Sequence, residues 1–241
     1  NYCVDATDSR AKNLRFEYCT FGDTDAFTGV KATDQCDDAD GTAGTRSYCF
    51  SAHFAGSPGL EGQNVTFYRC FFTQSGKDCI KFSGKGFVVE ECFFTLNGVN
   101  QADGWAGHCD IGQYGDTHVG GDVLVIRSNL NMPVETGDAA GYGSNSCYIH
   151  GEQLGGANIH IVSSRVVGGN NTLHFSGDCP GCLIQNCQIG DRKWNGSTGD
   201  YRFTMLAGSA NGLVRKGNKA ITAGGALLFE NGTPFNNAPA F

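Results

Sequence analysis

Apolar and polar residues alternate in short segments that recur along the chain, and each segment follows a turn residue and ends in a small or amide residue. The copies begin at Asn13, Asn64, Gly86, Asp122, Asn158, Gly181 and Asn211. A period of two residues is typical of a β-strand with one buried face, whereas a helix would repeat its apolar residues three and four positions apart. We therefore predict one strand at each copy.

A second set of short apolar segments lies between these copies and predicts a second column of strands. It comprises residues 2–4, 48–50, 78–82, 108–111, 146–149 and 171–175. Two columns that stay in step along the chain indicate a solenoid. Successive copies of the first column start 51, 22, 36, 36, 23 and 30 residues apart, so the shortest coil has about 22 residues and the excess forms loops.

The predicted fold is all-β, a right-handed parallel β-helix (solenoid) of about seven coils with loop insertions. A chain of 241 residues is long enough to bury the core of one large domain, so we predict a single domain over residues 1–241. The coils are assigned to residues 1–222 and a tail or cap to residues 223–241. Because Tyr2 already lies in a predicted strand, we expect a processed chain or a fragment of a longer one.

Composition agrees with many tight turns and argues against two classes of partner. Glycine accounts for 36 of the 241 residues, proline for 5, and charged residues for 17%. The net charge is −7 with only 17 lysines and arginines, so we expect no nucleic acid and no anionic membrane surface as a partner. No run approaches the roughly 18 apolar residues of a membrane-spanning helix, so we expect no membrane insertion.

The chain contains 12 cysteines, and an even count favours an oxidising compartment, which predicts a secreted, extracellular protein. The first strand column carries Cys19, Cys70, Cys92 and Cys187, and the second carries Cys3, Cys49, Cys79, Cys109 and Cys147. Two interpretations stay open: small buried fillers of an inward stack, or disulfides between coils. Four sequons predict a glycoprotein, with glycans at Asn64, Asn170, Asn195 and Asn231.

The repeated turn, the alternating strand with its Cys or Asn ending, and the segment Gly107-His108-Cys109-Asp110-Ile111-Gly112-Gln113 resemble the pectate-lyase-like right-handed β-helix superfamily. The resemblance covers roughly residues 1–215. It implies a parallel β-helix that is carbohydrate-active or adhesive, since this architecture hosts lyases, hydrolases, epimerases, phage spikes and passive adhesins. Pectate lyases of this superfamily use an acidic calcium cluster and an arginine base, and polygalacturonases use several aspartates on adjacent coils. Neither set of residues has a match in this chain.

His108, Asp110 and Gln113 form the strongest candidate for chemistry. An imidazole and a carboxylate two residues apart on a strand project from one face, where they can bind a sugar hydroxyl or act as acid and base. Asp110 is the candidate catalytic acid or base, and His108 assists it. Stacked coils extend this pair into a predicted sugar-binding strip made of Asp78, Lys81, Trp105, Gln113, His150, Glu152 and His174. The competing interpretation is that these residues only hydrogen-bond the turns.

Two further motifs have a functional and a structural interpretation. The longest predicted insertion, residues 23–46, carries Asp37, Asp38 and Asp40, whose carboxylates suit calcium, although the usual spacing of a calcium loop is absent. A solvated acidic loop is the alternative. Residues 179–182 read Cys-Pro-Gly-Cys, for which a local disulfide is a simpler expectation than redox chemistry or zinc, because no second CxxC accompanies it.

Two functions from different classes follow. In the first, a secreted β-helix binds a polysaccharide or other glycan along the strip and, if it is an enzyme, cleaves it as a polysaccharide lyase or glycoside hydrolase. In the second, the chain is a non-catalytic, glycosylated subunit of an extracellular filament, sheath or adhesin that assembles with further copies by end-to-end stacking. Carbohydrate association is the leading expectation.

Overall fold

The computed structural model describes residues 12–22, 52–54, 62–73, 79–82, 84–95, 110–114, 122–131, 145–150, 158–167, 171–176, 181–190, 205–206, 212–221 and 227–229. The regular secondary structure in these ranges is entirely β-strand, arranged in three sheets. No helix with the length and hydropathy of a membrane span occurs among these residues.

The first sheet contains the strands predicted from the recurring pattern. They are β1 (Lys12–Glu17), β4 (Gly62–Tyr68), β7 (Gly84–Glu90), β10 (Asp122–Ile126), β13 (Asn158–Val162), β16 (Leu183–Gln185) and β19 (Val214–Lys216). Neighbouring strands are parallel, and Val65 is aligned with Leu14 on one side and with Phe87 on the other. Each predicted copy of the first column therefore supplies one strand of this sheet.

The second sheet lies one corner after the first, and the prediction of only two columns is wrong because it missed this sheet. Its strands are β2 (Thr20–Gly22), β5 (Phe71–Thr73), β8 (Phe93–Thr95), β11 (Asn129–Asn131), β14 (Arg165–Val167), β17 (Gln188–Gly190), β20 (Lys219–Ile221) and the antiparallel β21 (Leu227–Phe229). They are short and follow the first column almost without a break, so the two strands of each coil read as one segment in the sequence.

The third sheet contains β3 (Ala52–Phe54), β6 (Ile80–Phe82), β9 (Asp110–Tyr114), β12 (Asn145–His150), β15 (Asn171–Ser176) and β18 (Met205–Leu206). These strands overlap the predicted second column at residues 78–82, 108–111, 146–149 and 171–175. The chain visits the first, second and third sheets in the same order each time, an arrangement compatible with a β-solenoid. We call one passage through the three sheets a coil.

The predicted second column of cysteines is wrong in register. Ile80 is aligned with Gly112, and Gly112 is aligned with Cys147. Cys79 therefore lies one position before the level of Cys147. A shared residue type suggested the alignment, but no turn conformation in that part of the sequence fixed it.

Apolar side chains from the first two sheets stack along the axis inside the coils. Phe21, Phe72 and Phe94 form one column with ring centroids 5.0 and 4.3 Å apart, and Phe16 stacks on Phe67 at 4.9 Å. The column that begins at Phe21 continues through Leu130, Val166 and Ile189, which are all buried. Each large side chain removed from water in this way contributes about 1.5–3 kcal/mol.

A two-residue corner joins the first sheet to the second in each described coil. Its first residue is left-handed, with φ between 49° and 67°, at Tyr18, Arg69, Glu91, Arg127, Ser163, Asn186 and Gly217. Its second residue is Cys19, Cys70, Cys92, Ser128, Ser164, Cys187 or Asn218, and all of these except Cys19 are buried. The left-handed residue turns the chain sharply enough for the next strand to start in a new sheet.

The buried corner residues form a hydrogen-bond ladder along the axis. The amide of Cys92 donates to Ser128 Oγ at 3.1 Å, and the amide of Ser128 donates to Ser164 Oγ at 3.1 Å. Ser164 Oγ donates in turn to the carbonyl of Val162 at 2.9 Å. Small side chains with one donor and an acceptor thus satisfy backbone groups that water cannot reach, which is the condition for burying a turn.

At the last described coil, an asparagine takes the ladder position of the cysteines and serines, and an arginine lies in the apolar row of the core. Asn218 Oδ1 accepts from the amide of Cys187 at 2.9 Å, and Asn218 Nδ2 donates to the carbonyl of Ile184 at 2.9 Å. Arg215 is aligned with Ile184, which is 1% exposed, so a cationic residue takes the next place in the apolar row. Beside it, β21 pairs antiparallel with β20.

Candidate ligand-binding surfaces

Three residues of the predicted sugar-binding strip share one row of the third sheet, where a row is the set of residues that the backbone register aligns across the strands. Lys81 is aligned with Gln113, Gln113 with Tyr148, and Tyr148 with His174. His53 in β3 precedes Lys81 in the same row. The register therefore brings together residues from five successive coils.

This row alternates along its strands with residues of the core. Ile80 and Phe82 flank Lys81 and both are 0% exposed, and Leu173, the neighbour of His174, is also 0% exposed. Because successive residues of a strand belong to opposite faces of the sheet, the row that runs through Lys81 lies on the face opposite the core.

Asp110 and His150 lie in other rows of the same sheet. Asp110 is the first residue of β9 and is aligned with Asn145, three positions before Gln113, or about 10 Å along the strand. Ile111 is 0% exposed although it lies two positions before Gln113, and Gly112 is buried as well, so the faces do not alternate strictly at the start of β9. His150 is the last aligned residue of β12 and lies two positions after Tyr148, on the same face.

The remaining predicted residues of the strip, the calcium cluster and three of the sequons fall outside the described residues. They are Asp78, Trp105, His108, Glu152, Asp37, Asp38, Asp40, Asn170, Asn195 and Asn231. Within the described ranges, no group of three or more His, Cys, Asp or Glu side chains is arranged to hold a metal ion.

The second sheet presents a surface that sequence reasoning missed. Phe71 and Phe93 are aligned, stack with ring centroids 5.6 Å apart, and remain 37% and 39% exposed. Their row continues through Asn129, Arg165, Gln188 and Lys219. The signal was present in Phe71-Phe72 and Phe93-Phe94, because two adjacent aromatic residues in a strand cannot both face the core.

Arg165 is the cation in the middle of this second row. Its Nη1 donates to Asn129 Oδ1 at 3.5 Å, and no carboxylate among the described residues forms an ion pair with it. Arg15, Arg69 and Arg127 are each paired with a glutamate. The Arg165 guanidinium is therefore chemically suited to bind a hydroxyl or carboxylate of a ligand beside the exposed rings.

The exposed side of the corner carries a network of paired charges. Glu91 accepts from Arg69 Nε at 2.6 Å and from Arg127 Nε at 3.1 Å. The hydrogen bond from Arg69, followed by the one from Arg127, holds the pKa of Glu91 below its usual value. Arg69 also lies over the ring of Tyr68, 5.0 Å from its centroid. These mutual contacts give the network a structural function.

The first cysteine column consists of free thiols at Cys19, Cys70, Cys92 and Cys187, as the buried-filler interpretation predicts for this column. A hydrogen bond with the Cys92 thiol lowers the pKa of Cys70 to about 7, and the same bond raises the pKa of Cys92. Burial raises the pKa of Cys187 to about 11. Cys70 is only 2% exposed, so its thiol is packed in the corner and serves the ladder.

Asn64 is the one predicted glycosylation site within the described residues. The residue is exposed and left-handed, with φ of 54°, and its Nδ2 donates to Asn13 Oδ1 at 2.9 Å. Gly86 lies beneath it in the next coil, and a Cβ on Gly86 would stand 2.5 Å from Asn64 Oδ1. The amide thus already links β4 to the neighbouring strand β1.

Comparisons with protein-family models, curated proteins and solved structures found no match to this chain.

Proposed function

We propose that the three parallel sheets are wound as a right-handed β-helix of about seven coils, of the pectate-lyase-like kind that the sequence resembles. The first sheet contributes one strand to each coil, and its strands follow one another in chain order. Connections between parallel strands of one sheet are right-handed in about 98% of cases, which supports this hand.

We propose that the protein associates with a polysaccharide along the third-sheet row of His53, Lys81, Gln113, Tyr148 and His174. The observation that carries the proposal is the shared register of Lys81, Gln113 and His174, three residues whose chemistry predicts a sugar-binding strip. Stacked coils repeat about every 4.8 Å, close to the length of one sugar unit, so neighbouring coils can contact neighbouring sugars.

The residue types in the row suit a sugar chain. Lysine donates, glutamine both donates and accepts, and histidine does either according to its protonation, so together they can serve the hydroxyls of a sugar. Tyrosine adds an amphipathic ring that can stack on the apolar face of a sugar. A row of such residues favours a long, repetitive ligand over a compact one.

A binding test separates the third-sheet row from the second-sheet row. Affinity electrophoresis on a panel of neutral and acidic polysaccharides identifies a ligand, and calorimetry with its oligosaccharide then compares variants. Gln113→Ala and His174→Ala are expected to weaken binding by about tenfold each, the effect of losing one hydrogen bond. Phe71→Ala and Arg165→Gln, in the outer row of the second sheet, are the matched controls. Both are expected to bind the oligosaccharide like the unaltered protein.

Either of two outcomes would contradict the proposed surface. Loss of binding in Phe71→Ala or Arg165→Gln, with Gln113→Ala unaffected, would transfer the ligand to the second sheet. Absence of binding to every polysaccharide of the panel would remove carbohydrate association altogether. Thermal melting of each variant shows whether a lost affinity reflects a lost fold.

Cleavage is the extension of this proposal, with Asp110 as acid or base, assisted by His108. Asp110→Asn keeps the size of the side chain and removes its proton chemistry, so turnover should fall at least about 100-fold with little change in thermal stability. Reducing-sugar and unsaturated-uronate assays measure the two possible reactions. Equal turnover in the variant would remove Asp110 from the chemistry, and binding without turnover in the unaltered protein would leave a binding module.

The alternative function is a glycosylated subunit of an extracellular filament, sheath or adhesin that stacks end to end. One observation weighs against it. At the last described coil, β21 pairs along β20, and Arg215 takes a place in the apolar row, so an incoming copy would meet a paired strand and a cation. Negative-stain electron microscopy decides between the two functions. Filaments of stacked copies, together with no polysaccharide binding, would favour the structural subunit over the polysaccharide-binding protein.

A further inference from the structure

The outer face of the first sheet carries at least one apolar or aromatic-ring side chain on each of five successive strands, and six of the ten residues in its two rows are aliphatic. One row on this face contains Val88, Leu124, His160, Leu183 and Val214, and the next contains Glu90, Ile126, Val162, Gln185 and Lys216. Val214 is 53% exposed. A sheet with only one face on the core normally alternates apolar residues inward with polar residues outward.

Apart from the exposed Phe93 of β8, the second sheet shows the usual alternation in the same coils. Its outer row carries Asn129, Arg165 and Gln188 beside the buried Leu130, Val166 and Ile189. The apolar residues outside the first sheet are therefore a property of that face. Contiguous apolar surface of this kind marks interaction sites in soluble proteins.

We propose that this face binds the same face of a second copy of the chain. The two-fold axis lies parallel to the strands and passes over β13, so the solenoid axes of the two copies run in opposite directions. This operation sets β7 of one copy over β19 of the other, and β10 over β16. Because the interface is isologous, each such contact occurs twice.

The order of residues along the two rows is complementary under this rotation. In the first row, Val88 meets Val214 and Leu124 meets Leu183 of the other copy. His160 lies at the axis.

In the second row, Glu90 meets Lys216 of the other copy, and Val162 meets its own counterpart at the axis. Lys216 is exposed and forms no ion pair with a described carboxylate of its own chain. Glu90 pairs with Arg127 within its chain and keeps 27% of its side chain exposed. Opposite charges therefore meet at both ends of an apolar centre, an arrangement that fixes the register of an interface.

The extent of the face sets the expected affinity. Five strands spaced about 4.8 Å apart make a face about 20 Å long. That is small for a specific interface, so we expect a reversible dimer with a dissociation constant in the micromolar range.

Sedimentation equilibrium of the full chain is the direct test. The unaltered protein should dimerise with concentration, and Leu124→Lys should weaken the dimer by at least about 30-fold because it buries two cations at the centre. Gln188→Lys, on the outer row of the second sheet, is the matched control and should dimerise normally. Unchanged thermal melting of a dilute sample would show that the Leu124→Lys monomer is folded.

A charge exchange tests the register independently of the apolar centre. Lys216→Glu should weaken the dimer by about tenfold, because two like-charged pairs replace two opposite ones. Combining it with Glu90→Lys in the same chain should restore most of the affinity. A double variant that melts like the unaltered protein and still dimerises no better than the single one would contradict the antiparallel arrangement.

A photo-crosslinking amino acid at position 162 identifies what covers the face. Crosslinks to the neighbourhood of Val162 in another copy support the two-fold dimer. Crosslinks to a segment of the same chain, or a protein that stays monomeric at about 100 µM, well above the expected constant, rule it out. If Leu124→Lys leaves dimerisation unchanged and crosslinks form only through the ends of the chain, the copies stack end to end and the proposed face is not the interface.

Discussion

The corner between the first and second sheets has one length in every described coil, whereas the connections to the third sheet vary widely. Residues 23–51 separate β2 from β3, but only residues 168–170 separate β14 from β15. On the far side, Ser83 alone joins β6 to β7, and residues 115–121 join β9 to β10. The same winding therefore includes one fixed corner and two that accept insertions.

The difference comes from what each connection has to satisfy. At the fixed corner a left-handed residue turns the chain and a buried Cys, Ser or Asn bonds the backbone of the coil before it, so an extra residue would leave buried groups unpaired. A longer connection costs little in closure entropy, since each doubling of its length adds only about 0.6 kcal/mol. Sequence variation can accumulate beside the third sheet, where the proposed ligand row lies.

A one-residue insertion should give the largest difference in stability between the fixed corner and a variable connection. One alanine added between Arg127 and Ser128 would shift β11 by one position and turn Leu130 away from the core, at a cost of at least about 3 kcal/mol. The same alanine added within residues 132–144 should change the free energy of unfolding by less than about 0.5 kcal/mol. Urea unfolding of both proteins measures the difference, and equal costs would mean that the corner is not special.

Removing one side chain from the ladder should have the next largest effect. Asn218→Ala leaves the amide of Cys187 and the carbonyl of Ile184 without their partner, which should lower the free energy of unfolding by about 2–4 kcal/mol. Ser163→Ala, on the exposed side of a corner, is the control and should change it by less than about 0.5 kcal/mol. A loss below 1 kcal/mol for Asn218→Ala would mean that water or another group replaces the amide.

Relieving the backbone at one corner should stabilise the fold modestly. Ser163 is exposed and has φ of 49°, a conformation that costs a non-glycine residue about 1–2 kcal/mol. Ser163→Gly removes that cost but increases the freedom of the unfolded chain, so we expect a net gain of about 0.5–1 kcal/mol. A loss of stability, measured by thermal and urea unfolding, would indicate that the serine side chain serves the turn.

The smallest effect is expected from the charges outside the corner, and it depends on pH. Arg69 and Arg127 lower the pKa of Glu91 in the folded protein, so its contribution is present above the unfolded pKa of about 4.3 and is lost as pH falls through the folded value. Glu91→Gln should therefore unfold slightly earlier in urea at pH 7, and the difference should disappear once the pH has fallen below the folded pKa of Glu91. A difference that persists in acid would point to packing in place of charge.

The first sheet was predictable because its positions are fixed by local chemistry. A turn residue, a period of two and a small corner residue recur together, and the seven described strands of the first sheet lie where that pattern predicts them. The second sheet was missed because three-residue strands are too short to show a period. The shift between Cys79 and Cys147 was missed because apolar residues without a defined turn do not fix a register.

The candidate surfaces were predictable only in part, for the same reason. Lys81, Gln113 and His174 fall in one row because the residues before them, Ile80, Gly112 and Leu173, are aligned at one level of the third sheet. Asp110 lies in a different row, because the register aligns it with Asn145, three positions before the level of Gln113 and Tyr148. The exposed pair of Phe71 and Phe93 depends on the second sheet, which had to be known first.

Arg215 has a consequence for how this molecule can change in length over evolution. A duplicated coil inserted between existing coils would find apolar neighbours above and below, and would need only the corner pattern to fit. A coil packed directly on β19 would have to enclose the Arg215 guanidinium, and so would need to keep or supply polar partners for it. A duplicated coil is therefore easier to accommodate between β1 and β16 than next to β19.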